Sequence, residues 1–318
     1  MLTLFLAVAV VVHCADAAVL PLVPYPAQVR VLDGCSRSAV ETVRDSALGE
    51  EAYRLSVTPD KVLIASSGAA GEFYARKTLA QLRRPDGTCP CVEIEDAPKF
   101  RWRGVLLDES RHFFGAAVVK RILDRMAEYK LNVFHWHLVD SHGWRLPVGR
   151  HPELTQRGAV RPKPDWDWNI RDDGIGREYG PYSYTKDEVR EIVEYAAERH
   201  IKIVPEIEIP GHFREVILCH PGFTCLSQDR FMDMIRARDT VKQAGALCLG
   251  NDEVIRFLEG VIDEMVELFP GDVYHIGGDE CPRGNKEDDN FYNEDRDWRA
   301  KGTRQGTHHS AVMLGNRR

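Results

Sequence analysis

Val273-Tyr274-His275-Ile276-Gly277-Gly278-Asp279-Glu280 is a short apolar strand that runs into two glycines and then delivers two adjacent carboxylates. Glycines at a strand end let the backbone turn tightly and let a ligand come close. Two carboxylates in such a turn meet unequal surroundings, which separate their pKa values and hence their roles. Gly-Gly-Asp is also ordinary turn chemistry, so the rest of the chain has to decide between the two readings. Three earlier stretches repeat the plan. Strands predicted over 104–107, 133–138 and 203–207 are followed by polar residues at Asp108 to Arg111, Asp140 to Trp144 and Glu208 to His212. Helical spacing fills the gaps over 116–130, 186–199 and 252–269, with Thr185 and Glu188 placed as a capping box and Pro270-Gly271 as a stop. Strand alternating with helix predicts an α/β protein with a parallel sheet and crossover helices. Polar residues after each strand predict the loops that build the active-site face of a β/α barrel.

Before this pattern begins, residues 19–98 read as a small α+β domain. Val29 to Leu32 and Tyr53 to Val57 alternate as short strands, and Ala69 to Leu82 has helical spacing before Arg83-Arg84-Pro85. Residues 1–17 are expected to be a secretory signal: Leu2 to Val12 is apolar except for Thr3, and Ala15-Asp16-Ala17 suits a signal peptidase. The run is too short to cross a bilayer, and it has no Lys or Arg ahead of it. An exported protein follows, whether secreted, periplasmic or lysosomal, with no membrane attachment in its mature form. No Asn-x-Ser/Thr occurs, which leans away from a glycosylated lysosomal enzyme.

The composition, 43% apolar and 29% charged over 318 residues, is that of a globular chain with a sizeable core. A net charge of −7 supplies no basic field and argues against nucleic acid as a partner. Export suits disulfides, and the short loop between Cys219 and Cys225 makes them the expected pair, although spacing alone does not fix connectivity. Cys89-Pro90-Cys91 lacks a second ligand pair. His135 and His137 share a strand face without a third ligand at a convincing spacing, so neither metal nor cofactor is expected.

Taken together, four motifs resemble the family 20 glycoside hydrolases, the β-N-acetylhexosaminidases. They are Arg103 to Phe113 (RGVLLDESRHF), Asn132 to Asp140 (NVFHWHLVD), Pro205 to His212 (PEIEIPGH) and His275 to Glu280 (HIGGDE). Leu22 to Pro26 and Tyr53 to Val57 are similar to the small domain that precedes the barrel in that family, so the likeness runs from about residue 19 to 285. It implies retaining, substrate-assisted exo-hydrolysis of terminal N-acetylglucosamine or N-acetylgalactosamine, in which the sugar supplies its own nucleophile. By this resemblance Glu280 is the general acid and Asp279 orients and stabilises the 2-acetamido group. Arg111 grips hydroxyls of the terminal sugar, Asp140 is a buried carboxylate behind the site, and His212 with Glu208 tunes the acid. His137 supports from behind the substrate contacts. The residues alone leave other readings open: Arg111 as an ion pair of Asp108, and His212 as a satisfied core histidine.

The chain also departs from the family. Ser141 stands where many members have a second acidic residue. Residues 278–318 are too few for four further units of about 30 residues each. The expected architecture is therefore a partial (β/α)8 TIM barrel: its first four β/α units over 99–285, a small α+β domain before them, and an irregular tail over 286–318. No match appears for the aromatic walls and the acetamido-binding tyrosine that the family draws from later strands. A half barrel exposes sheet edges and predicts oligomers or aggregation through them. The alternative function is a non-catalytic fragment or sugar-binding relic. A family 18 chitinase is a weaker alternative, because its spaced acidic strand motif is missing. The expected partners of an active chain are N-acetylhexosamine-terminated glycans or chitooligosaccharides.

Overall fold

The computed structural model describes residues 20–161, 179–224, 227–229, 231, 245–279 and 313–315. The chain divides into two compact units, one ending at Arg101 and the other beginning at Trp102. The first unit holds β1 (Gln28–Ser36), β2 (Val40–Arg44), β3 (Tyr53–Thr58), β4 (Lys61–Ser66), α1 (Ala69–Leu82) and β5 (Cys89–Asp96). They form one sheet in the order β1-β5-β3-β4-β2, antiparallel except for β2 against β4. Alternation along β3 sends Tyr53, Leu55 and Val57 into a core shared with Tyr74, Ala75 and Leu79 of α1. Inside it the Tyr53 hydroxyl meets Thr78 Oγ1 at 2.7 Å and donates to Asp96 Oδ2 at 3.0 Å. Cys89 and Cys91 are free, buried thiols of β5, so their spacing reflects alternate packing in a strand.

The second unit begins with β6 (Gly104–Asp108), α2 (Ala116–Glu128) and β7 (Val133–His137), and then a tight hairpin of β8 (Val139–Asp140) and β9 (Gly143–Trp144). After α3 (Pro152–Gln156) come α4 (Lys186–Ala197), β10 (Lys202–Glu206), α5 (Arg214–Cys219), α6 (Asp252–Leu268), β11 (Val273–His275) and β12 (Met313–Gly315). Among the described residues the main sheet runs β12-β11-β10-β7-β6. The pairs β6/β7, β7/β10 and β10/β11 are parallel.

The helices form where the sequence places them because each carries one apolar face. Val119, Leu123, Met126 and Ala127 of α2 are buried, as are Val254, Phe257, Leu258, Val261, Met265 and Leu268 of α6. Fully burying each large side chain of this kind is worth roughly 1.5–3 kcal/mol. Both halves of the capping box between Thr185 and Glu188 are made at α4, and the Asn251 side chain accepts from Glu253 N at the start of α6. Lys130 and His200 sit at φ 57° and 56° after α2 and α4. There Leu131 N donates to Met126 O and Ile201 N to Ala196 O, which turns each chain sharply into the next strand.

Two expectations need correction. Residues 286–318 do not read as wholly irregular, because Met313–Gly315 pairs antiparallel with β11; three residues are too few to show a period in sequence. Cys219 is a free thiol, half-buried, with its pKa pushed by burial up to about 11. Cys248 is disulfide-bonded instead. A short loop made Cys219 attractive, but its sulfur points at Glu153 O, 3.7 Å away. The expected signal over 1–17 lies outside the described residues.

Candidate active site

Parallel pairing sets Asp108 beside His137, His137 beside Glu206, and Glu206 beside His275. Residues opposite each other in such a ladder share a face, so four ionisable side chains form one row across β6, β7, β10 and β11. Glu206 is its middle: Oε2 lies 2.6 Å from His135 Nε2 and Oε1 lies 2.7 Å from His275 Nδ1. Burial opposes ionisation of Glu206, but the His135 and His275 rings against it hold its carboxyl well below the usual range. The third partner missing for His135 in sequence is thus supplied in space. His135, Glu206 and His275 bring ligand-type atoms within 4.8 Å of one another.

Just past the row, the expected site residues converge. The Arg111 fork spans two carboxylates, Nη1 at 2.8 Å from Asp108 Oδ2 and Nη2 at 2.8 Å from Asp140 Oδ2. The ion pair with Asp108 is therefore real, and the guanidinium still keeps 42% of its side-chain surface open for other contacts. Asp140 is buried. Burial would raise its pKa, but a hydrogen bond from His142 and the charges of His212, Arg111 and His137 hold it below the carboxylate range. His137 Nε2 lies 3.0 Å from Val139 O, with Asp140 Oδ2 at 3.6 Å and Glu208 Oε1 at 3.7 Å. His212 adopts φ 57°, an unusual backbone state for a non-glycine residue. It places Nδ1 between Glu208 Oε2 at 3.6 Å and Asp140 Oδ2 at 3.7 Å.

Those surroundings shift both members of the Glu208 and His212 pair upward. Burial disfavours the His212 cation, yet the nearby carboxylate of Glu208 and the charges of Asp140 and Asp279 carry it up to about 9. Burial, followed by the like charges of Glu206 and Asp279, pushes Glu208 up to about 8 against the pull of His212. Both groups therefore favour their protonated forms at neutral pH, beside the loop after β11. In that loop Gly277 and Gly278 have φ 62° and 101°, and a Cβ on Gly277 would meet Glu208 Oε2 at 1.8 Å. Only glycine fits there. The turn leaves Asp279 exposed and within electrostatic range of Glu208, His212 and His275. Glu280, the expected acid, lies outside the described residues.

Two buried residues with no assigned role hold these loops. Glu109 accepts from Trp136 Nε1 at 2.6 Å, Tyr184 OH at 2.5 Å, and the backbone N–H groups of Phe114 and Gly115. Arg145 is fully buried and donates to the carbonyls of Glu109, Ser110, Ala159 and Tyr182 at 2.6–3.0 Å, and to His142 O at 3.5 Å. Burial lowers its pKa to about 10, which leaves it charged. Gly143 is required beside it, since a Cβ there would lie 2.2 Å from the guanidinium. Glu206 was discoverable, because it stands two residues before Glu208 and so on the same strand face. Arg145 follows an ordinary Gly-Trp and carries no such signal.

A parallel sheet whose strand ends gather ionised and protonated carboxylates around an arginine fork is laid out for acid–base chemistry. The comparisons agree. Residues 100–309 match the catalytic domain of glycosyl hydrolase family 20, and residues 36–97 match domain 2 of the same family. The chain is 37% identical over 268 residues to a beta-hexosaminidase of Porphyromonas gingivalis, covering 80% of this chain and 33% of that one. A beta-hexosaminidase of Akkermansia muciniphila is 39% identical over 241 residues, 74% of this chain and 46% of that one. Among solved structures, a family 20 exo beta-N-acetylglucosaminidase from Vibrio harveyi, in complex with N-acetylglucosamine, superposes with TM-score 0.71 at 29% identity. It covers 83% of this chain and 47% of that one. The chain belongs to glycoside hydrolase family 20, and it spans between a third and a half of the length of these relatives.

Proposed function

We propose that this chain removes terminal non-reducing N-acetyl-β-D-hexosamine residues by retaining, substrate-assisted hydrolysis. The observation that carries this reading is the Gly277-Gly278 turn, which leaves Asp279 within electrostatic range of the buried Glu208 and His212, themselves beside Asp140 and its partner Arg111. Asp279 accepts from the acetamido N–H and steadies the positive charge that grows as the carbonyl oxygen attacks the anomeric carbon. Glu280, assigned by its place in the motif, protonates the leaving oxygen and then activates water. Arg111 donates to sugar hydroxyls while Asp108 and Asp140 fix its plane. His212 and Glu208, with His137 behind them, set the field at Asp279.

The four strand-and-helix units are read as the N-terminal half of a (β/α)8 barrel over 99–285, with residues 19–98 as the small domain before it. Residues 1–17 are read as an export signal. The substrate class is N-acetylhexosamine-terminated glycans or chitooligosaccharides; a Bombyx mori relative, 32% identical over 259 residues, is a chitooligosaccharidolytic beta-N-acetylglucosaminidase.

The test is hydrolysis of a chromogenic N-acetylglucosaminide by the purified chain beside Glu280→Gln and Asp279→Asn. A general acid contributes about 10²–10⁴-fold, so Glu280→Gln is expected to lower kcat by that much. Full activity in Glu280→Gln would sink the assignment of roles. A folded chain that binds N-acetylglucosamine without turnover would favour a sugar-binding relic instead.

A further inference from the structure

A second cluster of histidine and carboxylate lies away from the row of strand ends, where the segment entering α3 meets the end of α5. His151 Nδ1 is 3.1 Å and His220 Nε2 is 2.8 Å from the same oxygen, Glu153 Oε1. All three ligand-type atoms fall within 4.8 Å of one another. We propose that His151, Glu153 and His220 form a binding site for a divalent transition cation of the zinc type, with a fourth position open to water.

The ligand set, two imidazoles and one carboxylate, suits zinc and its neighbours, which take such donors at 2.0–2.2 Å. Donors around a tetrahedral ion at that range stand about 3.3 Å apart, so the observed spacings need to open by only a few tenths of an ångström. The approach of His220 does not look like an ordinary hydrogen bond. Its Nε2 is buried and, despite the 2.8 Å distance, has no aligned partner among the described residues.

The rings are also held in place without an ion. His220 stacks on Phe223 at 4.7 Å and 15°, and His151 leans on Phe257 at 4.7 Å. Arg157 Nη2 donates to Leu218 O at 3.2 Å, tying the same two segments together. Preset ligands lose less freedom on binding. The three side chains keep 25%, 30% and 24% of their surface open, which leaves a face for exchange and for the fourth ligand. Bound there, the cation would clip the loop after β9 to the loop after β10.

The test is equilibrium dialysis of the full chain against ZnCl2, with the visible d–d bands of Co2+ as the second readout. Wild type is expected to retain one equivalent with four-coordinate cobalt bands and a higher melting temperature. His151→Ala, His220→Ala and the isosteric Glu153→Gln should each weaken binding at least tenfold. His135→Gln, at the other cluster, should leave the bands in place. Melts in EDTA establish folding, and if an alanine variant is unfolded, Glu153→Gln decides. Absence of binding by wild type, undiminished binding by Glu153→Gln, or loss of the bands in His135→Gln would overturn the proposal.

Discussion

A methyl group on Gly277 would sit 1.8 Å from Glu208 Oε2 and 2.9 Å from Glu208 Cα, on a backbone with φ 62°. Left-handed backbone at a non-glycine residue costs on the order of 1–3 kcal/mol, and the clash adds to it. Gly277→Ala is therefore expected to lower stability by at least that amount and to displace Asp279, both visible in urea melts and in kcat. Arg111→Lys keeps the charge but loses the fork that spans Asp108 and Asp140. A hydrogen bond to a charged group is worth about 1.5–3 kcal/mol, so KM should rise roughly tenfold to a hundredfold, with a smaller effect on kcat. Steady-state kinetics separates the two. At this scale the sequence was readable where chemistry repeats a motif: Arg111, Asp140, His137, Glu208 and His212, singled out from their motifs, lie together in space. It was silent where a residue serves by reaching, because Arg145 and Glu109 act on loops far from their own position.

Among the elements, helices were read closely because their apolar faces span several turns, as α2 and α6 show. Strands of two or three residues, β8, β9 and β12, left no period to read. The hairpin loops depend on Arg145. Leaving a buried acceptor unpaired costs roughly 1–3 kcal/mol, so Arg145→Met, which abandons several carbonyls, should destabilise by about 3 kcal/mol or more in denaturant melts. Among the described residues β6 ends the sheet on one side, and it exposes Leu106 at 52%. An open apolar edge is a template for pairing, and Leu106→Lys is expected to reduce self-association in analytical ultracentrifugation. An unchanged sedimentation profile would remove β6 as the contact.

For the molecule as a whole, the raised pairs and the lowered ones set opposite ends of a pH window. His212 is held near 9 against about 6.5 in an unfolded chain. Its contribution is full below about 6.5 and is lost as pH rises through 9. Glu208, raised from about 4.5 to about 8, contributes fully only below about 4.5 and loses its share as pH climbs to about 8. Asp140 and Glu206 are depressed, so their shares are present above about 4 and vanish as pH falls. On these four groups stability should be highest at about pH 4–5 and decline from there to about pH 9, with His212→Gln flattening the limb above about pH 6.5 in urea midpoints measured against pH. The buried guanidinium of Arg145 has a different bearing, on order in time. It gathers carbonyls from residues 109 to 182. A ribosome delivers residues at about 5–20 per second, so several seconds separate the first of these acceptors from the last. Until Tyr182 emerges, the nascent chain carries a cation whose shelter is unfinished, and the loops it ties close only after α2 and α3 have been delivered.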